Sequence, residues 1–268
     1  MNTVEKSFCF IHPEAVIGRN VVIHPFVKIE KGVVVGDNCE IRSFVSLLEG
    51  TRLGADNKVF EGAVIGAVPQ DHLRGEGAYS EVVIGHHNIF RENTVIHRGL
   101  SDRHATRIGD YNFLTEGVHL AHDVEIGHHC VLGCGAKVAP ECRLEDHVFL
   151  GALSVVFNYC HIGRLAFVSA GCIVNKHIPP FVRIGGQFAD WKGINTTVLE
   201  KNHFSEKAIK DIVFAYRLIY NEYSLPYVKE KIDSLVNTSE AIAEIARFLQ
   251  NSHNLGIMGK EEVRQERE

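Results

Sequence analysis

Residues 11–35 read IHPEAVIGRNVVIHPFVKIEKGVVV, with an aliphatic side chain at every sixth place: Ile11, Ile17, Ile23, Ile29 and Val35. The run continues through Ile41, Leu47, Leu53, Val59 and Ile65. It resumes at Ile84, Phe90 and Ile96. It resumes again at Ile108 and passes through Leu114, Leu120, Ile126, Leu132, Val138, Leu144, Leu150, Val156, Ile162, Val168 and Val174. A period of six fits neither a helix of 3.6 nor an alternating strand of 2. It fits a chain that turns a corner after each short strand and sets one aliphatic inside a triangular prism at each face. The expected fold is therefore mainly β, a left-handed parallel β-helix of hexapeptide repeats. With strands stacked about 4.8 Å apart, the prism should be roughly 35–40 Å long, and residues eighteen apart should lie over one another.

Two stretches break the register. GAVPQDHLRGEGAYSEVV occupies positions 66–83, and HRGLSDRHATR occupies positions 97–107. A solenoid extrudes insertions as loops, and such loops often carry function. After Val174 the pattern ends at Pro179-Pro180, and residues to about 202 read as irregular. Ser205 then caps a helical period with Ile209, Ile212, Val213, Tyr216 and Ile219 on one face. Pro226 opens a second helix, and Ser239 caps a third, EAIAEIARFLQ. The reading is a prism over 1–190, a helical domain over 191–256 and a polar tail over 257–268.

The net charge of −5 and the lack of a face loaded with Lys and Arg argue against nucleic-acid binding. Seven cysteines without a CxxC pair, of which Cys39, Cys130 and Cys172 precede an inward aliphatic by two places, fit buried reduced thiols and a cytoplasmic location. The start, MNTVEKSF, lacks the apolar run of a signal peptide, and no stretch is long enough to span a membrane.

Sixteen histidines make any single one uninformative. The segment His119-Leu120-Ala121-His122-Asp123 stands apart. Leu120 is an inward residue, so His119 faces outward, and His122 falls at a corner beside the carboxylate of Asp123. An imidazole next to a carboxylate is a competent general base. Two histidines three apart could equally be part of a zinc site, with His97 or His128 as the third imidazole.

The repeat, Gln70-Asp71, the stretch from Phe90-Arg91-Glu92 to Ile96-His97-Arg98-Gly99, His119 to Asp123, Pro179-Pro180, Gly193-Ile194-Asn195 and the helical tail together resemble the UDP-N-acetylglucosamine 3-O-acyltransferase family. The resemblance runs from about Ile11 to the last helix. It implies transfer of a (3-hydroxy)acyl chain from acyl carrier protein to the 3-hydroxyl of the nucleotide sugar, the opening step of lipid A biosynthesis. It further implies a homotrimer with sites between neighbouring prisms and no metal or cofactor. On that resemblance His122 is the base and Asp123 its support. Gln70, Asp71, His119 and Asn195 match positions that contact the sugar nucleotide or line the acyl cleft, and Phe167 and Ala170 fall near the positions that measure acyl length.

The chain departs from the family pattern at several of these places. Where the family offers a glycine N–H to the oxyanion, this chain has Pro140, and proline has none. Glu141 stands for a substrate-contacting histidine, Phe157 for another, Thr197 for a glutamate and Lys201 for an arginine. Leu73 replaces the lysine that follows Gln-Asp, with Arg74 beside it as a substitute. The oxyanion is then left to a shifted N–H, to a side chain such as Asn158, eighteen beyond Pro140, or to no donor at all. Three other readings compete: a transferase for another sugar, a zinc enzyme of the γ-type carbonic anhydrase class, and a protein that binds nucleotide sugar or acyl carrier protein without efficient turnover. The sister enzyme that N-acylates glucosamine carries a uridine-binding domain ahead of its prism, for which hexads beginning at Ile11 leave no room.

Overall fold

The computed structural model describes residues 3–4, 8–71, 79–102, 104–187, 189–220, 225–251 and 255–258. Short strands wind into three parallel sheets. The first sheet has eleven strands, from Thr3–Val4 to an antiparallel last member, Asp190–Ile194. The second has nine, from Phe10–Ile11 to Ile173–Val174, and the third has eight, from Val16–Ile17 to His161–Ile162. Within each sheet the chain pairs with the next coil, as in His119↔Lys137 and Lys137↔Val155, so the eighteen-residue stacking rule holds in the uninterrupted part.

The hexads work as the period requires. Inward residues such as Ile23, Ile41, Leu47, Leu114, Leu120 and Leu132 are almost wholly buried. Burial of each is worth about 1.5–3 kcal/mol. Three places past many of them the backbone enters the left-handed region, as at Asn38 (φ 58°), Asp123 (φ 59°) and Glu141 (φ 58°). That residue turns the corner, which is why Asn, Asp and Gly recur there. The cysteines two places before an inward aliphatic lie on different edges of the prism, Cys39 and Cys130 ahead of first-sheet strands, Cys142 ahead of a third-sheet strand and Cys172 ahead of a second-sheet one. Cys39, Cys130 and Cys142 each donate S–H to a carbonyl fifteen residues on, at 3.1, 3.1 and 2.9 Å. Burial pushes the thiols of Cys130 and Cys142 up to about 12, so they are inert packing groups.

Beyond Val174 the chain forms a hairpin, Val182–Gly185 against Asp190–Ile194, where the sequence reads as irregular. Four α-helices follow among the described residues: α1 (Thr196–Lys201), a short helix within the stretch that the sequence reads as irregular, then α2 (Glu206–Tyr220), α3 (Leu225–Leu235) and α4 (Glu240–Gln250). Ser205 accepts a hydrogen bond from the Ala208 N–H and Ser239 one from the Ile242 N–H, as their cap positions require. The helices are tied to the prism. Arg164 forks on to Glu244 of α4 at 2.7 and 3.0 Å, and the His161 ring packs tilted, at 36°, against Phe248 with ring centroids 4.5 Å apart.

Candidate active site

His122 sits at the corner between the second and third sheets, 7 % exposed. The strand His119–Leu120 leads into that corner, held between Val95–Ile96 and Lys137–Val138. Asp123 occupies the left-handed position of the turn. Its carboxylate Oδ2 lies 2.8 Å from His122 Nδ1. The second insertion seats that carboxylate: the Leu100 N–H points at both oxygens from 3.3 Å, and Thr106 Oγ1 accepts the Asp123 N–H at 3.0 Å. The insertion is itself anchored, since Gly99 N–H donates to Glu81 O at 3.1 Å and Arg98 Nη1 to Glu49 O at 3.1 Å. With Asp123 ionised, Nδ1 carries the proton and Nε2 keeps the lone pair. That is the tautomer of a base.

The corner opens on a cleft of about 370 Å³ along the second sheet, lined by Gln70, His97, His119, Ala121, His122, Lys137, Val138, Ala139, Pro140, Val155 and Val156. His97 is the member that sequence reasoning undervalued, weighing it only as a third zinc ligand. Its Nδ1 faces Val68 O at 2.7 Å, while its Nε2 is buried without a hydrogen-bond partner. Burial and the nearby His122 hold its pKa below the ordinary imidazole value against the pull of Val68 O. Its ring lies 4.9 Å from that of His119. His119 is pulled down to about 4 by burial first, then by His97 and Lys137. The two rings are neutral hydrogen-bonding groups at neutral pH.

The remaining expected residues divide by location. Gln70 lines the cleft, and Asp71 follows it where the described part of the first insertion ends. Arg74 lies outside the described residues. Glu141 gives its N–H to His122 O at 3.2 Å, but its side chain is exposed and lines a different cleft, with His104, Arg107 and Arg143. Asn158 is exposed at the same corner one coil past Pro140, whose carbonyl accepts the Tyr159 N–H at 3.2 Å. Asn195 is far from His122 in this sense: it is buried beside the corner between the third and first sheets, and its Nδ2 donates to Leu165 O at 3.2 Å. Its backbone carbonyl accepts the N–H groups of Val198 and Leu199, and Lys201 is exposed at the end of α1. Phe167 faces outward from the first sheet, stacked on Phe149 at 4.8 Å, and Ala170 is exposed at the corner between the first and second sheets.

A zinc site built on His119 and His122 would need a third ligand. His128 belongs to another corner, where its Nδ1 accepts the Asp110 N–H at 2.9 Å. Among the described residues no three His, Cys, Asp or Glu side chains are grouped to hold a metal.

Known proteins with this arrangement are plain in kind. Residues 178–258 match the model described as UDP-N-acetylglucosamine O-acyltransferase, domain 2, and residues 14–49 match that of the bacterial transferase hexapeptide. The acyl-[acyl-carrier-protein]–UDP-N-acetylglucosamine O-acyltransferase of Halorhodospira halophila is 40 % identical over 244 residues, which cover 90 % of this chain and 94 % of that one. The solved UDP-N-acetylglucosamine acyltransferase of Bacteroides fragilis superposes with a TM-score of 0.90 at 37 % identity, covering 95 % of this chain and all of its own. That of Francisella novicida gives 0.92 at 29 % identity, covering 96 % and 94 %.

Proposed function

The chain belongs to the UDP-N-acetylglucosamine O-acyltransferase family, and from that premise we propose the following reaction. It transfers an acyl chain from acyl carrier protein to the 3-hydroxyl of UDP-N-acetylglucosamine, the first step of lipid A biosynthesis. The observation that carries the mechanism is the buried 2.8 Å contact of His122 Nδ1 with Asp123, which leaves Nε2 facing the cleft as the base. Nε2 takes the proton of the sugar hydroxyl, and that oxygen bonds to the thioester carbon. The carbonyl electron pair moves on to its oxygen. It then returns as the carbon–sulfur bond breaks, and the departing thiolate takes the proton from the imidazolium. Ester and carrier thiol are the products, and atoms and charge balance without a metal. Asp123 supports the imidazolium that exists between the two proton transfers.

A homotrimer is part of the proposal, and the prism's outer faces support it. In register along the outside of the first sheet run Ile89, Phe113, Val131, Phe149 and Phe167. The outside of the second sheet carries Val64, Val95, His119, Lys137, Val155 and Ile173. The third is mostly charged from Arg52 onward, with Arg52, Val83, Arg107, Glu125, Arg143 and His161. Two different apolar faces closing on each other make a heterologous ring. Packing the first face of one copy on the second face of the next brings the corner of Asn195 beside the neighbour's His122. On their match to the family pattern, Asn195 and Lys201, with Gln70, Asp71, Arg74, His119, Glu141 and Asn158, are proposed as substrate contacts within and across subunits. The acyl chain follows the cleft up the second face toward Ala170, with Phe167 close by, and these two set its length.

A cytoplasmic site of action completes the reading. All seven cysteines are free thiols, as a reducing compartment keeps them. Among the described residues no helix is long and apolar enough to cross a membrane. The test is acyl transfer to UDP-N-acetylglucosamine from a panel of carrier-protein thioesters of different length. The reading expects an O-acylated nucleotide sugar from at least one of them. Protein that binds the nucleotide sugar yet transfers no acyl group would favour the binding-only alternative.

A further inference from the structure

Attack on a thioester places negative charge on the carbonyl oxygen, and that oxygen needs a donor aimed at it. Around His122 the backbone offers its own N–H, two places past the inward Leu120, and little else. The N–H groups of His119, Ala121, Ala139 and Glu141 are bound to carbonyls at 3.0, 2.9, 2.9 and 3.2 Å, and that of Asp123 to Thr106. Other corners show where a free N–H would be. Two places past an inward aliphatic, His86, His128 and Arg164 turn their N–H outward to a side-chain carboxylate, at 2.7, 2.8 and 2.9 Å. Pro140 holds that position one coil above His122, so the donor is missing at the cleft wall.

Among the side chains that line the cleft, Gln70 carries a neutral amide and Lys137 a charged ammonium, and a charged donor holds an oxyanion the more strongly. His97 is committed to Val68 O, and its second nitrogen is buried. Lys137 is the one permanently cationic side chain among the described residues that line the cleft. Strand register sets it between His119 and Val155. Its Nζ gives one hydrogen to Gly117 O at 2.8 Å. An ammonium has three hydrogens, so two remain for a ligand. Its field already reaches the site, as one of the causes that keep His119 neutral.

We propose that Lys137 holds the developing thioester oxyanion in place of the N–H that Pro140 lacks. This rests on the acyl-transfer reading above. It assigns a catalytic role to a surface strand position and explains how the family's chemistry survives a proline at this corner.

The experiment measures transfer by the full-length protein carrying Lys137→Met, Lys137→Arg and the double change Lys137→Met with Pro140→Gly. Loss of one oxyanion donor lowers kcat by about 10²–10³. Lys137→Met should fall by that factor with KM for the nucleotide sugar near the parent's, and Lys137→Arg should keep part of the rate. Restoring a backbone N–H by Pro140→Gly should return at least about tenfold of what Lys137→Met lost, a rescue that a structural role would not show. Lys137→Met at the parental kcat, beside an inactive His122→Ala, overturns this proposal alone. A loss that Pro140→Gly leaves untouched also overturns it. A parent protein with no transfer from any thioester overturns the underlying reading as well.

Discussion

Asp123→Asn isolates the electrostatic support of the base with little other disturbance. Residue 123 sits at φ 59°, a conformation that asparagine tolerates nearly as well as aspartate, so the corner should keep its shape. What changes is the partner of His122 Nδ1, now 2.8 Å from a carboxylate oxygen. During transfer the imidazole becomes a cation. A unit charge about 4 Å away in an effective dielectric near 20 stabilises it by about 4 kcal/mol. That is about 10³ in rate. Geometry adds to the loss. The Leu100 N–H approaches both carboxylate oxygens. If asparagine turns its oxygen to that N–H, its amide group faces Nδ1 and drives the imidazole proton on to Nε2, where the base should be. We expect kcat to fall by about 10³ or more, with KM for the nucleotide sugar changed little and the urea midpoint unchanged. Steady-state transfer assays over pH 6–9 read both constants. A variant keeping a tenth of the parental kcat would refute the assigned role of Asp123.

Three further outcomes follow from the same structure. His177 is pulled down to about 4 by burial, then by His161, and its Nδ1 accepts the His161 N–H at 3.0 Å. The unfolded chain therefore binds more protons than the folded one between about 4 and the ordinary 6.5, so stability is whole above 6.5 and is lost as pH falls toward 4; urea midpoints at pH 7.5 and 4.5 should diverge less in His177→Asn, and equal divergence would contradict this. Glu244→Ala leaves the Arg164 guanidinium without its fork and should cost about 1.5–3 kcal/mol, seen as faster amide exchange in α4 than in the prism; unchanged protection of α4 would show that the pair holds nothing. Ala170→Phe fills the exposed corner at the far end of the second face and should shift acyl preference to shorter chains, whereas unaltered selectivity would remove Ala170 from the measuring role.

The prism was legible because each hexad spends one buried side chain per face, and nothing in a helix or a long strand reproduces that spacing. Leu120 and Val138 could be placed inside, and His122 at a corner, by counting alone. The hairpin of Val182–Gly185 and Asp190–Ile194 escaped because its antiparallel pairing shifts register and carries no period. His97 escaped for a different reason. One histidine among sixteen carries no signal by type, and only its place directly after the inward Ile96, matching Ala121 and Ala139, points it at the cleft. The seat of Asp123 was hidden as well, since it depends on Leu100 and Thr106 of an insertion whose course no repeat dictates. Asn195 could be matched to a substrate contact by resemblance, yet its amide also closes a turn on Leu165. The proposed substrate contact would be made in the proposed assembly rather than in the single chain.

The whole reaction turns on Nε2 of His122 acting as the base of an acyl transfer. The measurement is the single-turnover rate of transfer to UDP-N-acetylglucosamine by His122→Ala beside the parent, with nucleotide-sugar affinity measured on the same samples. Affinity should persist while transfer falls below detection. Transfer within a factor of about ten of the parental rate, from a variant that binds normally, would contradict it.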